Sequence, residues 1–206
     1  NGIENYSESL QTLIKLTDEA LEINPEIKVV LWPETAFVPS VLYHANTEGQ
    51  SDRKKLAEFL LNYVRSRSPA FIIGNQHIVT NKNGSGKKYY NAAILFENQS
   101  GGLPSEKDIY SKIKLVPFSE YFPYQKYFPH IYKSLLEKEK FFWTPGDQIK
   151  ILETNGLDIY TPICFENTFP YLSRQAYKKG ARCLFCLAYY SLAARITCQY
   201  LHLAMA

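Results

Sequence analysis

Short apolar runs that alternate with helix-forming segments constrain the fold of this 206-residue chain more than any other feature. Six runs rich in branched and aromatic residues are too short for buried helices and predict buried strands. They cover residues 27–32, 71–73, 89–96, 113–116, 158–163 and 184–187. Helical spacing, or residues that begin and end helices, marks segments 7–23, 51–68, 170–179 and 192–206. The alternation predicts an α/β layered fold in which helices cover a sheet.

The composition predicts one globular domain. It argues against nucleic-acid binding and against a membrane-spanning helix within residues 1–206. Hydrophobic residues make up 46% of the chain and charged residues 21%, which is a globular rather than a disordered composition. The formal net charge of +3 is too weak to indicate nucleic-acid binding. No run reaches the roughly 18 apolar residues that a membrane-spanning helix needs. The chain begins without Met, so we expect residues 1–206 to be one domain of a longer protein.

The four cysteines all lie in the last quarter of the chain, a distribution that does not indicate a disulfide framework. Cys183 and Cys186 form a Cys-x-x-Cys pair with apolar neighbours. We interpret them as core residues of the last predicted strand, with metal binding as the alternative.

Glu34 directly follows the predicted strand 27–32 and Pro33. Functional sites in α/β folds collect at the ends of strands. A carboxylate in that position suits proton transfer, and this predicts a general base. The alternative is a glutamate at a helix N-terminus, where the helix dipole stabilises its charge.

Lys112 and Lys114 are predicted to share one face of a strand. A lysine near a reaction centre stabilises a developing oxyanion and lowers the pKa of a neighbouring thiol. The alternative is a pair of surface lysines on an edge strand, which we favour for Lys114. Glu120, in the turn that follows, either orients Lys112 or is a loop charge.

Cys164 lies where the predicted strand 158–163 gives way to a helix. Backbone N–H groups at such a junction favour a thiolate and hold an oxyanion, as in many nucleophile turns. The alternative is an inert core cysteine. Glu166, two residues further on, is interpreted as a supporting group rather than a nucleophile.

The chain order Glu34, Lys112, Cys164 resembles the carbon–nitrogen hydrolase, or nitrilase, superfamily, whose catalytic triad is Glu, Lys and Cys in that order. Leu-Trp-Pro-Glu at 31–34 is similar to the glutamate motif of the superfamily, and Ile-Cys-Phe-Glu at 163–166 is similar to its nucleophile motif.

A longer segment resembles one family of that superfamily, the apolipoprotein N-acyltransferases. Their lysine segment usually reads Lys, two residues, Leu-Val-Pro-Phe-Gly-Glu, and residues 112–120 match it except for Ser119 in place of Gly. Trp-Thr-Pro-Gly at 143–146 resembles a Pro-Gly step of that family, and residues 199–206 resemble the start of its next helix.

The chain departs from the family pattern in two places. Residues 186–192 lack the Asn-Asp pair of the Thr-Asn-Asp-x-Trp-like segment that usually follows the nucleophile helix. The family's first strand, membrane helices and C-terminal strands have no counterpart in the sequence. The resemblance therefore predicts a nitrilase-like layered α-β-β-α sandwich that is incomplete at both ends.

The resemblance implies a function and a set of roles. Cys164 would be the nucleophile, Glu34 the general base and acid, and Lys112 the electrostatic stabiliser, helped by the Phe165 backbone N–H. Glu120 and Glu166 would support them. The acyl donor would be a phospholipid and the acceptor a diacylglyceryl-modified apolipoprotein, with no metal, organic cofactor or nucleic acid. The domain would lie on the periplasmic face of a bacterial inner membrane.

Residues 118–132 have no clear period and are predicted to form a long functional loop. Aromatic and lysine side chains there and just beyond suit a membrane interface, with packing under the loop as the alternative. The aromatic residues are Tyr121, Phe122, Tyr124, Tyr127, Phe128, Tyr132, Phe141, Phe142 and Trp143, and the lysines are Lys126, Lys133, Lys138 and Lys140.

Two other functions remain open at the level of sequence. A soluble nitrilase-type amidase would use the same triad, with water as the second nucleophile. A non-catalytic binding domain would keep the fold alone, and the missing Asn-Asp pair favours it.

Overall fold

The computed structural model describes residues 2–37, 39–81, 86–97, 102–139 and 142–188. Its five α-helices are α1 (Gly2–Ile23), α2 (Val41–Ala45), α3 (Asp52–Arg65), α4 (Pro129–Glu139) and α5 (Pro170–Lys178). Ser51 caps α3, because its hydroxyl accepts a hydrogen bond from the Lys54 backbone N–H. The predicted helix over 192–206 lies outside the described residues.

The first sheet has four strands in the order β1-β2-β3-β4. They are β1 (Val29–Phe37), β2 (Ala70–Thr80), β3 (Lys87–Phe96) and β4 (Ile109–Ser111). β1 runs parallel to β2, and the other two pairings are antiparallel. The first strand of the sheet therefore delivers Glu34, and the last strand ends directly before Lys112.

The second sheet has three strands, β5 (Leu152–Thr154), β6 (Leu157–Tyr160) and β7 (Cys183–Leu184). β5 pairs antiparallel with β6, and β6 pairs parallel with β7. A single bridge between Ile163 and Leu187 continues the last pairing up to the residue before Cys164.

Two apolar clusters arrange these elements in four layers. Alternate residues of β2 point to opposite faces of the first sheet, as the strand period requires. Phe71 and Ile73 pack with residues of α1, α2 and α3, whereas Ile72 packs with residues of β5, β6 and α5. The order is helices, first sheet, second sheet, helix, which is the predicted α-β-β-α sandwich.

One predicted strand is absent: residues 113–116 are not a strand, and the sheet is continued instead by β4. The backbone N–H groups of Ile113 and Lys114 bond to Glu166, and that of Val116 bonds to Glu120. Carboxylates thus take the donors that a strand would use in its ladder, so Lys112 and Lys114 do not share a strand face.

Several other boundaries differ from the prediction. β1 continues to Phe37, beyond the predicted end at residue 32, so Glu34 lies within this strand rather than after it. The predicted loop 118–132 ends in helix α4, which begins at Pro129. The strand predicted at 158–163 ends at Tyr160, and only Leu184 of the strand predicted at 184–187 belongs to a strand, β7. Within the described part of the chain, no helix is both long enough and apolar enough to cross a bilayer.

Candidate active site

Glu34 is placed in the interior by a close approach of two strands. A Cβ atom on Gly74 of β2 would lie 2.3 Å from the Pro33 carbonyl oxygen and 2.7 Å from the Glu34 Cα. The absence of a side chain at Gly74 therefore permits this contact. Glu34 itself is 8% exposed, so its carboxylate is buried rather than a solvated surface charge.

Lys112 is held between two carboxylates. Its ammonium Nζ lies 2.8 Å from Oε1 of Glu120 and 3.4 Å from Oε1 of Glu34, and the side chain is 1% exposed. Burial by itself would lower the pKa of Lys112, but the charges of Glu34 and Glu120 outweigh it and raise this pKa. The lysine therefore remains a buried cation.

Cys164 begins a short 3₁₀ helix, Cys164–Thr168, after the bridge at Ile163. Its thiol is hydrogen-bonded to the Glu34 carboxylate and lies within the electrostatic reach of Lys112. Burial, reinforced by the Glu34 charge and only partly opposed by Lys112, raises the pKa of Cys164 to about 12. Lys112 lowers the pKa of this thiol, as expected, but burial and the neighbouring carboxylate exceed its effect, so the net shift is upward.

Backbone strain is concentrated around these side chains. Four non-glycine residues of the described chain have a positive φ, and three of them lie within two residues of a candidate group. Thr35 follows Glu34, Phe118 lies two residues before Glu120, and Cys164 has a φ of 49°. Left-handed backbone at such residues costs energy and is typical of functional sites. The fourth, Asn155, belongs to the turn between β5 and β6.

Glu166 connects the nucleophile turn to the lysine segment. Its Oε1 accepts hydrogen bonds from the backbone N–H groups of Ile113 (2.7 Å) and Lys114 (3.1 Å), and its Oε2 accepts one from Ile163 (2.9 Å). The Tyr110 hydroxyl donates to the same carboxylate. Burial raises the pKa of Glu166, and the backbone donors oppose this rise. The carboxylate thus fixes the position of Lys112 relative to Cys164.

Glu120 acts on the same segment from the other side. Its Oε2 accepts a 2.7 Å hydrogen bond from the Val116 backbone N–H, while its Oε1 binds Lys112. Glu120 therefore contacts both the side chain of Lys112 and the backbone of the segment that follows it. Phe165 is the second residue of the 3₁₀ helix, and its ring lies 5.0 Å from that of Phe169.

Asn91 also belongs to this cluster, although it was not predicted from the sequence as a site residue. It is 2% exposed, and its Nδ2 lies 2.8 Å from Oε1 of Glu34 and 3.3 Å from Oε1 of Glu120. The available signal was its position, because asparagine is depleted in strands and Asn91 falls inside the predicted strand 89–96.

Two further cysteines, Cys183 and Cys186, lie in the described part of the chain, whereas Cys198 lies outside it. Cys183 lies in β7 and packs against the second apolar cluster, whereas Cys186 follows the strand, and both are partly buried free thiols. Both cysteines were predicted to be strand residues. The prediction is confirmed for Cys183 and is wrong for Cys186. Among the residues that the structure describes, no three His, Cys, Asp or Glu side chains are gathered as a metal ion would require.

The four-layer fold agrees with one family of enzymes. The carbon-nitrogen hydrolase family model matches residues 3–205, and the chain belongs to this family. Two solved structures share the fold. Carbon-nitrogen hydrolase from Helicobacter pylori G27 has a TM-score of 0.63 at 18% identity, covering 97% of this chain and 62% of the other. Nit3 of Saccharomyces cerevisiae, of the nitrilase superfamily, has a TM-score of 0.59 at 20% identity, covering 95% and 64%.

More similar sequences come from one group within this family. Apolipoprotein N-acyltransferase 1 of Treponema pallidum is 40% identical over 208 aligned residues, which span 100% of this chain and 38% of that protein. Apolipoprotein N-acyltransferase 1 of Treponema denticola is 38% identical, spanning 100% of this chain and 40% of that protein. The chain thus spans about two fifths of the length of these relatives.

Proposed function

We propose that this chain is the catalytic domain of an N-acyltransferase, which transfers an acyl chain from a phospholipid to the N-terminal cysteine amine of an apolipoprotein. The similarity to two proteins of that name over the whole chain supports the proposal. The observation that carries it is the buried cluster in which Glu34 contacts both the Lys112 ammonium and the Cys164 thiol.

The first half-reaction starts from a protonated thiol, because the pKa of Cys164 is raised to about 12. Glu34 takes the thiol proton as Cys164 Sγ attacks the ester carbonyl carbon of the phospholipid. The negative charge that develops on the carbonyl oxygen is stabilised by Lys112 and the Phe165 backbone N–H. The ester C–O bond then breaks, the lysophospholipid leaves with the proton from Glu34, and an acyl thioester remains on Cys164.

The second half-reaction reverses these proton transfers with a different nucleophile. The α-amine of a diacylglyceryl-modified cysteine attacks the thioester carbonyl and loses a proton to Glu34. The C–S bond breaks, Cys164 regains its proton from Glu34, and the product is an amide. Because donor and acceptor react in separate steps at one cysteine, the kinetics are ping-pong.

An aromatic surface near the lysine segment supports a membrane-bound donor. Rings contact one another from Phe118 through Phe122 and Tyr124 to Phe128, and Tyr127 is 80% exposed. Lys126 is exposed among them. Exposed rings mixed with lysines suit the interface between lipid and water. We therefore propose that this surface faces the periplasmic side of the bacterial inner membrane.

A cavity of about 460 Å³ opens beside the same surface. Phe122, Tyr132, Phe142 and Trp143 line it together with residues 113–115 of the lysine segment. Its aromatic walls suit an apolar chain. Phe141 and Lys140, which were predicted to contribute to this surface, lie outside the described residues, as does the side chain of Lys138.

The proposal is tested by following the acyl group on the intact protein, in its longest natural form. Mass spectrometry after exposure to a phospholipid with isotope-labelled acyl chains should show one acyl group on Cys164, absent in Cys164→Ala and kept in the matched variant Cys183→Ala. Addition of a peptide with an N-terminal diacylglyceryl-cysteine should discharge the acyl group into an amide. Discharge to free fatty acid alone indicates a hydrolase, and absence of any acyl-enzyme overturns the proposal.

A further inference from the structure

Asn91 faces Lys112 across two neighbouring strands. β3 pairs with β4 in a register that places Ala92 opposite Ser111, and the next residue pair is Asn91 and Lys112. The Lys112 backbone N–H donates a 2.8 Å hydrogen bond to the Asn91 carbonyl oxygen. Opposite residues of an antiparallel pair project to the same face, so the amide and the ammonium enter the site side by side.

The orientation of the Asn91 amide is determined by its partners. Its Nδ2 group carries two hydrogens, and Oε1 of Glu34 and Oε1 of Glu120 lie 2.8 Å and 3.3 Å away. An ionised carboxylate only accepts hydrogen bonds, so a reversed amide would place its oxygen against two negative groups. The Asn91 Oδ1 atom is buried and has no hydrogen-bond partner among the described residues. The two donated hydrogen bonds therefore hold this side chain.

The charges of Glu34, Glu120 and Lys112 explain why an uncharged side chain with two N–H donors, that of Asn91, is suited to this cluster. Two carboxylates, Glu34 and Glu120, face one ammonium, so their sum is −1 in a site that is almost closed to solvent. A buried negative charge without sufficient donors is costly. An amide supplies two neutral donors to the same Oε1 atoms that Lys112 contacts, so it competes with the ammonium for Glu34 without adding charge.

From this geometry we infer that Asn91 is a positioning residue of the acyl transfer, which holds the Glu34 carboxylate against the Cys164 thiol; the inference rests on the proposed function. Lys112 Nζ lies 3.4 Å from Glu34 Oε1, longer than its 2.8 Å contact with Glu120. Without the amide, the ammonium draws Glu34 into a closer ion pair and away from the thiol. Asn91 thus keeps one carboxylate for proton transfer and leaves the other to anchor the lysine.

Two substitutions separate positioning from a structural role. Asn91→Leu removes both donors, and thioester formation should slow about 10- to 100-fold while the KM for phospholipid changes less than about threefold. Asn91→Asp places a third carboxyl group beside two others, which raises its pKa. Its activity should be low at pH 8 and should recover partly towards pH 6, because a protonated carboxyl group donates a hydrogen bond again.

A matched control is Asn75→Leu. Asn75 is a buried asparagine of β2 whose amide binds the backbone at Pro39 and Val41. Its loss should lower the melting temperature without changing the shape of the pH profile. A wild-type rate of thioester formation in Asn91→Leu, or equal losses at every pH in Asn91→Asp, would overturn the inference.

A second measurement needs no acyl donor and separates the inference from the proposed function. If Glu34 moves away from Cys164 in Asn91→Leu, the thiol loses a neighbouring negative charge. Its alkylation by iodoacetamide should then reach a given rate at a pH about one unit lower than in the wild type. An unchanged alkylation profile contradicts the positioning role even where no acyl-enzyme forms. A shifted profile without acyl-enzyme supports the positioning role and rejects the acyltransferase.

Discussion

Replacing Glu34 by Gln should make the Cys164 thiol ionise more easily, although the same change abolishes acyl transfer. The Glu34 carboxylate contacts the thiol, and its charge and hydrogen bond both raise the thiol pKa. Glutamine keeps the size of the side chain but removes the charge. The attraction of Lys112 for a thiolate, which lowers the pKa, remains in the variant. Glu34→Gln therefore removes the general base and at the same time increases the fraction of Cys164 that is ionised.

The size of the effect follows from the causes of the raised pKa. With a pKa of about 12, roughly one Cys164 thiol in 10,000 is ionised at pH 8. Burial is the largest cause and is unchanged in the variant. Two charges about 4 Å apart at an effective dielectric constant of about 20 repel by about 4 kcal/mol, which is an upper limit for the Glu34 contribution. Because this figure is an upper limit and the Lys112 attraction is the same in both proteins, we expect the pKa to fall by about 1 to 2, or about 1.4 to 2.7 kcal/mol.

The assay is alkylation by iodoacetamide between pH 6 and pH 10, quantified by mass spectrometry of the peptide that contains Cys164. Below its pKa the thiol should react about tenfold faster for each pH unit, and the curve of Glu34→Gln should lie 1 to 2 units lower in pH. Glu153→Gln, an exposed carboxylate of β5, should leave the curve unchanged. A curve that coincides with wild type or moves to higher pH would refute the electrostatic reasoning. In that case Glu34 would activate the resting thiol instead of holding it protonated.

Two further predictions concern the scaffold. Gly74→Ala would bring a methyl group to 2.3 Å from the Pro33 carbonyl oxygen, so β1 must shift. We expect a stability loss of about 1 to 3 kcal/mol and about a 100-fold slower thioester formation. Gly49→Ala, where the added atom meets open space, should cost stability through its φ of 88° and leave the rate unchanged. Asp18→Asn breaks the ion pair with Arg67, which lowers the pKa of Asp18, and should cost about 0.5 to 1 kcal/mol in urea unfolding at pH 7. Since the pKa of Asp18 in the folded protein lies below its ordinary value of 3.8, this stability difference should shrink as the pH falls below about 3.8 and should not persist in strong acid.

The layered fold could be predicted because its core strands coincide with short apolar runs in the sequence. The run at 89–96 corresponds to β3, Lys87–Phe96, almost to the residue. The run at 71–73 marked only the beginning of β2, which extends to Thr80. The outer half of β2 pairs with Lys87–Asn91 outside the two apolar clusters, and its only adjacent apolar residues, Ile78 and Val79, are too short a run to detect. Pairing across the sheet, rather than local sequence, determines that part of the fold.

The largest error in the predicted secondary structure lies at the candidate site. The same buried carboxylates that build the site also prevent the predicted strand from forming. Residues 113–116 have a strand-like sequence, but Glu120 and Glu166 are the acceptors for their backbone N–H groups. Each carboxylate also serves a side chain or turn of the site, since Glu120 binds Lys112 and Glu166 binds the Ile163 N–H beside Cys164. Local propensity is overruled where a buried charge has to be satisfied, because an unpaired carboxylate costs more than a lost ladder bond. Glu120 and Glu166 could be singled out as supporting residues, but the backbone bonds of Glu166 to residues more than 50 positions away, and the contacts of Asn91, leave no local sequence signal.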